Sequence, residues 1–324
     1  MSKISVIIPT YNRSRTIEYC LRSVLNQTFQ DFEIIVADDC STDNTIEIVK
    51  NISDPRIRYT VLKQKGGAQV ARNEGIKMSA SEWITFLDSD DEYLPDKLQL
   101  QFDALVSVNF NVYTVVHGNC NTIYHSKDET KYWNLPLVEG STYSTLLKAP
   151  SPLFPSILTS KFMLELIGYL DEKTPSYQEW DTAILLAKHA NFIHIQQPLF
   201  NYHIHHGDTI SKNMVRDITG YQYIINKNKY EIINTCGIDT WNNHIKMQFQ
   251  KLLKLDFMLV KNTFTKTDFE LLNNLLLEYM NLNHYITDQA SDYKRKYDLI
   301  TQSRSFYIYR KLIKPFNILM KLIK

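Results

Sequence analysis

Four times in its first ninety residues the chain alternates a short apolar run with a stretch of helical periodicity. Ile4 to Ile8, ended by Pro9, is a β-branched run of the kind that forms a buried strand. Apolar Ile17, Leu21, Val24 and Leu25 follow at helical spacing, with Asn12 or Ser14 as the candidate cap. Phe32 to Ala37 reads as the second strand, and the turn Asp39–Asp43 leads into a helix through Val49. Ile57 to Leu62 is the third strand, Gly66-Gly67 opens a loop, Ala68 to Met78 is a helix, and Trp83 to Leu87 is the fourth strand. Such alternation predicts a mostly parallel sheet covered on both faces by helices, an α/β fold.

Beyond that point the periodicity loosens. Lys97 to Val106 reads as a helix, Val112 to His117 as a strand, Trp180 to His189 as a helix, and Phe192–Ile195 and Leu199–Ile204 as two strands; 119–160 shows no clear period. From Arg216 onward the patterns are almost all helical, broken near Gly237 and Thr263. The expected division is an α/β domain over 1–213 and a helical region over 214–324.

Several function classes fall away on composition. With 44% hydrophobic and 22% charged residues the chain has the material for a packed core. A net charge of +1 excludes a general polyanion binder, so no nucleic-acid partner is expected. Cys20, Cys40, Cys120 and Cys236 contain no CxxC pair, which removes zinc-ribbon and thioredoxin-type sites. No signal-peptide h-region and no eighteen-residue apolar stretch is visible, so a reduced, cytoplasmic protein is the expectation. Charge is uneven: from Lys294 to the end there are nine basic residues and one acid, a local +8 that leaves −7 for residues 1–293.

An open parallel sheet binds ligands beyond the carboxyl ends of its strands. Pro9, Thr10, Tyr11, Asn12 and Arg13 follow the first strand, Asp38 and Asp39 the second, Lys63 and Lys65 the third, and Asp88-Ser89-Asp90-Asp91 the fourth. Three carboxylates in four residues repel one another unless a cation lies among them, and hard cations such as Mg²⁺ and Mn²⁺ take oxygen ligands. An EF-hand is excluded, because counting from Asp88 places Tyr93 where glycine is needed and Gln99 where glutamate is needed. A solvated acidic turn is the other reading of this run, and a surface cation the other reading of Arg72.

Ile4–Asn12, Ser23–Thr28, Val36–Asp43, Ala71-Arg72-Asn73 and Phe86–Asp91 together resemble, in order and spacing, the opening of inverting family 2 glycosyltransferases with the GT-A fold. The resemblance implies a nucleotide-sugar-binding half over 1–91 and an acceptor half over 92–213. It implies that Pro9, Thr10, Tyr11, Asn12 and the pair Asp38 and Asp39 hold the nucleoside, with Arg72 and Ser89 also on the donor. Asp88 and Asp90 would form the DxD element that binds the diphosphate through Mn²⁺ or Mg²⁺. Tyr177-Gln178-Glu179-Trp180-Asp181 stands where the family usually has Glu-Asp-Trp-Asp, so Glu179 falls on the catalytic base, one methylene longer, with Asp181 as the fallback. Trp180, at helical spacing with Ile184, reads as core. In Tyr202–Asp208 His205 matches the family's metal- or diphosphate-reaching histidine, and His203 replaces a common arginine.

The implied activity is metal-dependent transfer of a hexosyl or N-acetylhexosaminyl group, with inversion, from a nucleoside-diphosphate sugar (uridine the commonest nucleoside) to a glycan or lipid-linked hydroxyl in cell-surface polysaccharide synthesis. A nucleotidyltransferase would need a Gly-rich phosphate loop after the first strand, where the chain has Pro9-Thr10-Tyr11-Asn12. An inactive sugar-nucleotide-binding scaffold has the Gln178-Glu179 departure as its only support. Residues 304–324 interleave Arg310, Lys311, Lys314, Lys321 and Lys324 with Phe306, Ile308, Leu312, Ile313, Phe316 and Leu319. That composition suits an anionic membrane surface at the inner face of the cell membrane. Packing on the protein's own domain or on a partner copy in a homo-oligomer is the other use for the segment.

Overall fold

The structure is a computed structural model that describes residues 2–204, 213–253, 274, 275 and 278. It divides into two compact units, 1–209 and 210–324.

In the first unit β1 (Ile4–Thr10), β2 (Phe32–Asp38), β3 (Ile57–Val61) and β4 (Trp83–Phe86) pair in parallel in the order β3-β2-β1-β4. Every residue of β1, β2 and β4 is buried, as expected of strands covered on both faces. The connecting helices are α1 (Ile17–Leu25), α2 (Thr45–Asn51) and α3 (Ala68–Met78). Helix α3 lies close against β1 at Gly75, where a Cβ would come 2.5 Å from Ile7 Cγ2.

The sheet continues with β8 (Leu158–Ser160), β6 (Thr114–Tyr124), β9 (Asn191–Ile204) and the two-residue β5 (Glu92–Tyr93), while β7 (Glu129–Trp133) forms a hairpin on β6. Strand β8 is antiparallel to both β4 and β6, so it alone runs against the two strands that flank it, which share one direction. This half also holds α4 (Lys97–Ser107), α5 (Tyr143–Leu146), α6 (Lys161–Leu166) and α7 (Gln178–Ala187).

Two local expectations are corrected. Neither Asn12 nor Ser14 caps α1: the N-cap is Thr16, and Asn12 adopts left-handed φ of 50°. The polar groups of this loop bind the turn after β2 instead, with the Asn12 and Ser14 amides donating to Ser41 Oγ and Asp43 Oδ2. The two strands expected over 192–204 are one. Pro198, which has no amide to give the ladder, falls in the register shift opposite Asn119, so the strand passes it as an irregularity. The unassigned stretch 119–160 holds the far end of β6, the β7 hairpin, α5 and β8.

The second unit contains α8 (Met214–Lys227), α9 (Lys229–Glu231), a π turn over Ile232–Cys236 and α10 (Ile238–Leu253), with the break before α10 at Gly237 (φ 88°). Among the described residues no helix is long and apolar enough to cross a membrane. His205, His206, the break near Thr263 and the basic segment 304–324 lie outside the described residues.

Candidate active site

The carboxyl ends of β1, β2 and β4 open on one edge of the sheet, and most of the singled-out residues meet there. Parallel register sets Thr10 beside Asp38. Asp38 is buried; its carboxylate accepts from the Ser41 amide at 2.8 Å and from the Tyr59 hydroxyl. Asp39 is buried too, and its two oxygens accept from the Gly66 and Gly67 amides. The glycine doublet thus folds the β3–α3 loop onto Asp39. Tyr11 stands at the rim with the Lys65 ammonium 3.6 Å from its ring centre. Pro9 is buried, and the buried Thr10 hydroxyl has no hydrogen-bond partner. Asn12 Oδ1 accepts from the Thr42 amide at 2.8 Å, so its side chain ties the two loops together.

Beyond β4 the acidic run turns sharply, with the Asp91 amide donating to the Asp88 carbonyl. Asp88 and Asp90 are partly exposed and Ser89 is buried between them. Asp90 lies 3.5 Å from an Arg13 nitrogen, and the Tyr19 hydroxyl donates to the Asp90 carbonyl. Asp91 is 1% exposed and takes the His203 amide at 2.9 Å. Burial pushes its carboxyl well up, and the charges of Asp88 and Asp90 push the same way. The His203 ring is held by Glu92 at 2.9 Å and by His125 at 2.8 Å.

Arg72 is not a surface cation. It is 4% exposed, lies 4.3 Å above the Phe154 ring centre, and donates to Asp88 at 2.5 Å, Gln69 at 2.9 Å and Gln178 at 3.0 Å. Gln178 opens α7, whose first turn carries Glu179 and Asp181. Glu179 keeps some exposure. Its crowded surroundings raise its carboxyl to about 7, with Asp88 adding to the rise and Arg72 opposing it. Asp181 is 1% exposed. Trp180 is fully buried and donates to the Leu146 carbonyl at 2.6 Å, so it belongs to the core.

Among the described residues no group of three or more His, Cys, Asp or Glu is placed to hold a metal ion. The donor chemistry of Asp88 and Asp90 still fits a hard divalent cation. Mg²⁺ in particular is commonly held by one or two carboxylates, with water and phosphate oxygens completing its shell.

Sequence reading missed the roles of Tyr59, Lys65, Gln178 and the Gly66–Gly67 amides. Only the glycine doublet carries a local signal, because doublets mark loops that can approach another group closely. The other three depend on contacts between segments distant in sequence.

Residues 5–158 match the sequence model of glycosyl transferase family 2. A GalNAc(5)-diNAcBac-PP-undecaprenol β-1,3-glucosyltransferase of Campylobacter jejuni is 41% identical over 123 residues, 37% of this chain and 38% of that protein. The Escherichia coli UDP-Glc:α-D-GlcNAc-diphosphoundecaprenol β-1,3-glucosyltransferase WfgD is 35% identical over 145 residues, 45% of this chain and 55% of that one. The match thus spans about half or less of each relative's length. In structure, Staphylococcus aureus TarS 1–349 in complex with UDP-GlcNAc superposes with a TM-score of 0.60 at 19% identity, covering 85% of this chain and 80% of that one. The first unit therefore has the GT-A fold, and its residues 5–158 carry the sequence pattern of glycosyl transferase family 2.

Proposed function

We propose that the chain transfers a hexosyl or N-acetylhexosaminyl group from a UDP-sugar to a hydroxyl of a lipid-linked glycan, with inversion, in cell-surface polysaccharide synthesis. The observation that carries the reading is the placement of Glu179 in the first turn of α7, next to Gln178, which Arg72 joins to Asp88; there its carboxyl is raised to about 7. A general base works best when its pKa lies near the operating pH. The related UDP-Glc-dependent undecaprenol glucosyltransferase and the UDP-GlcNAc complex of TarS support the donor and acceptor classes.

In this reading Tyr11 and the Asp38–Asp39 corner receive the nucleoside, and Asp88 and Asp90 face the diphosphate. Glu179 takes the proton of the acceptor hydroxyl as its oxygen bonds to the anomeric carbon. The bond from that carbon to the diphosphate oxygen breaks, and UDP leaves with the electron pair. One displacement inverts the centre. Asp88 and Asp90 would hold Mn²⁺ or Mg²⁺, which when bound neutralises diphosphate charge. The basic apolar segment 304–324 would bring the enzyme to an anionic leaflet, where lipid-linked acceptors reside. Flotation with anionic vesicles at low salt tests that placement, and protein remaining at the bottom of the gradient refutes it.

The test of function is UDP release from UDP-glucose and UDP-GlcNAc with and without a GlcNAc-diphospho-lipid acceptor, followed by NMR of the product's anomeric configuration. Retention of configuration, or no acceptor-dependent release from any nucleotide sugar, refutes the reading.

A further inference from the structure

Arg72 bridges three parts of the chain that sequence separates widely. Its Nη2 reaches Asp88 at the end of β4, and its Nη1 reaches both Gln69 in its own helix and Gln178 at the start of α7, 106 residues away. Gln178 is held in turn: its Nε2 donates to the Thr174 carbonyl at 3.1 Å, and its backbone carbonyl accepts from the Thr182 hydroxyl at 2.9 Å. The residue after it is Glu179. One planar guanidinium, buried and stacked on Phe154, thus fixes the distance between the carboxylate that faces the diphosphate and the helix that carries the base.

We propose that Gln178 is a positioning residue that, through its hydrogen bond to Arg72, sets Glu179 in register with Asp88. The geometry needs an oxygen acceptor at 178 and a two-armed donor at 72. An ammonium at position 72 cannot reach in two fixed directions from one plane. The link acts on the reacting geometry and not on the nucleoside corner, since neither Gln178 nor Arg72 hydrogen-bonds to Tyr11, Asp38 or Asp39. It therefore governs turnover more than donor affinity.

The catalytic consequence rests on the transferase reading above, so the test has two arms. In the first, hydrogen–deuterium exchange on the full chain follows peptides spanning 177–182. The Trp180 and Asp181 amides there donate to the Tyr177 carbonyl at 3.0 and 3.2 Å. Gln178→Ala and Arg72→Lys should both speed exchange in this turn and leave 183–187 unchanged, and Gln178→Glu, which keeps the acceptor oxygen, should restore protection. In the second arm, Gln178→Ala should lower kcat by about tenfold to a hundredfold, the cost of a misplaced reacting group, with the UDP Kd within about twofold of wild type. Gln178→Glu should recover most of kcat. Unchanged exchange in both loosening variants overturns the link. Should Gln178→Ala not fold, Arg72→Lys and Gln178→Glu decide the same question. Faster exchange in the two loosening variants, with a wild-type protein that transfers no sugar, keeps the link and refutes the transferase reading instead. Normal kcat in Gln178→Ala of an active enzyme overturns the proposed role.

Discussion

The ammonium of Lys65 lies 3.6 Å from the centre of the Tyr11 ring, so an aromatic face at the mouth of β1 is covered by a cation from the loop after β3. The same loop gives its Gly66 and Gly67 amides to Asp39. Cation, ring and carboxylate thus form one corner, built from three strand ends. A nucleobase stacking on Tyr11 would replace the ammonium on that face.

Tyr11 should therefore matter through its ring and not through its hydroxyl. Stacking of a base on an aromatic side chain is worth roughly 1–3 kcal/mol, so Tyr11→Ala should raise the UDP Kd by about fivefold or more, while Tyr11→Phe should leave it nearly unchanged. Calorimetric titration reads both. An unaltered Kd in the alanine variant would mean that the base lies elsewhere.

Asp88 and Asp90 lead to a second expectation, on ion dependence. Each has a cation nearby in the protein itself, Arg72 for Asp88 and Arg13 for Asp90, and neither arginine supplies the double charge that a departing diphosphate calls for. Transfer should stop in excess chelator and return with Mn²⁺ or Mg²⁺, and Asp90→Asn should abolish it with an unaltered melting temperature. Full activity in chelator would remove the DxD assignment.

Much of this site was legible in the sequence because the first four strands are local units: each apolar run, its turn and its helix read off within about twenty residues. The order of those units alone puts Thr10, Asp38, Asp39 and Asp88 at one edge. The burial of Arg72 was not legible. Its partners Gln178 and Phe154 lie 106 and 82 residues downstream, and an arginine on a helix shows the same pattern whether it faces water or a neighbouring helix. The acceptor half was least legible, because β6 and β9 are long strands that pair in parallel at separations of 77 to 80 residues and absorb their mismatch in extra β9 residues opposite Gly118–Cys120. No local pattern encodes such a register.

Glu179 makes a prediction about pH. Its carboxyl titrates at about 7, against an ordinary 4.5, so the ionised base is scarce at pH 6 and abundant at pH 8. kcat should rise through about pH 7 and then level off. Stability runs the opposite way. A carboxyl whose pKa is raised by folding contributes stability that is present below 4.5 and lost as pH rises through about 7. Glu179→Gln should lower kcat by roughly a hundredfold to ten-thousandfold, leave the UDP Kd nearly unchanged, and flatten the melting temperature across that interval. If Asp181→Asn is the inactive variant and Glu179→Gln turns over normally, the base is the buried aspartate two residues on.

Lys97 supplies the last expectation, one about the core beneath the site. It is fully buried at the start of α4, with its Nζ donating to the Thr85 hydroxyl and lying 3.9 Å from the Tyr93 ring centre. Burial holds its amine well below the ordinary 10.5, with no carboxylate offsetting the effect. The unfolded chain therefore holds this proton more tightly than the folded chain does. For a group depressed in this way the folded state is favoured most above pH 10.5 and loses that advantage as pH falls toward the folded value. Thr85 stands three residues before Asp88, so the amine is tied to the strand that leads into the acidic turn. Lys97→Met keeps the length and apolar character of the stem and removes the titration. Its melting temperature should exceed that of wild type at pH 7, and the gap should narrow between pH 7 and 10. UDP affinity should stay the same, since the side chain lies below the site. Parallel melting curves for the two proteins across that range would show that Lys97 keeps its proton in the fold, held by the hydroxyl of Thr85 and the face of Tyr93.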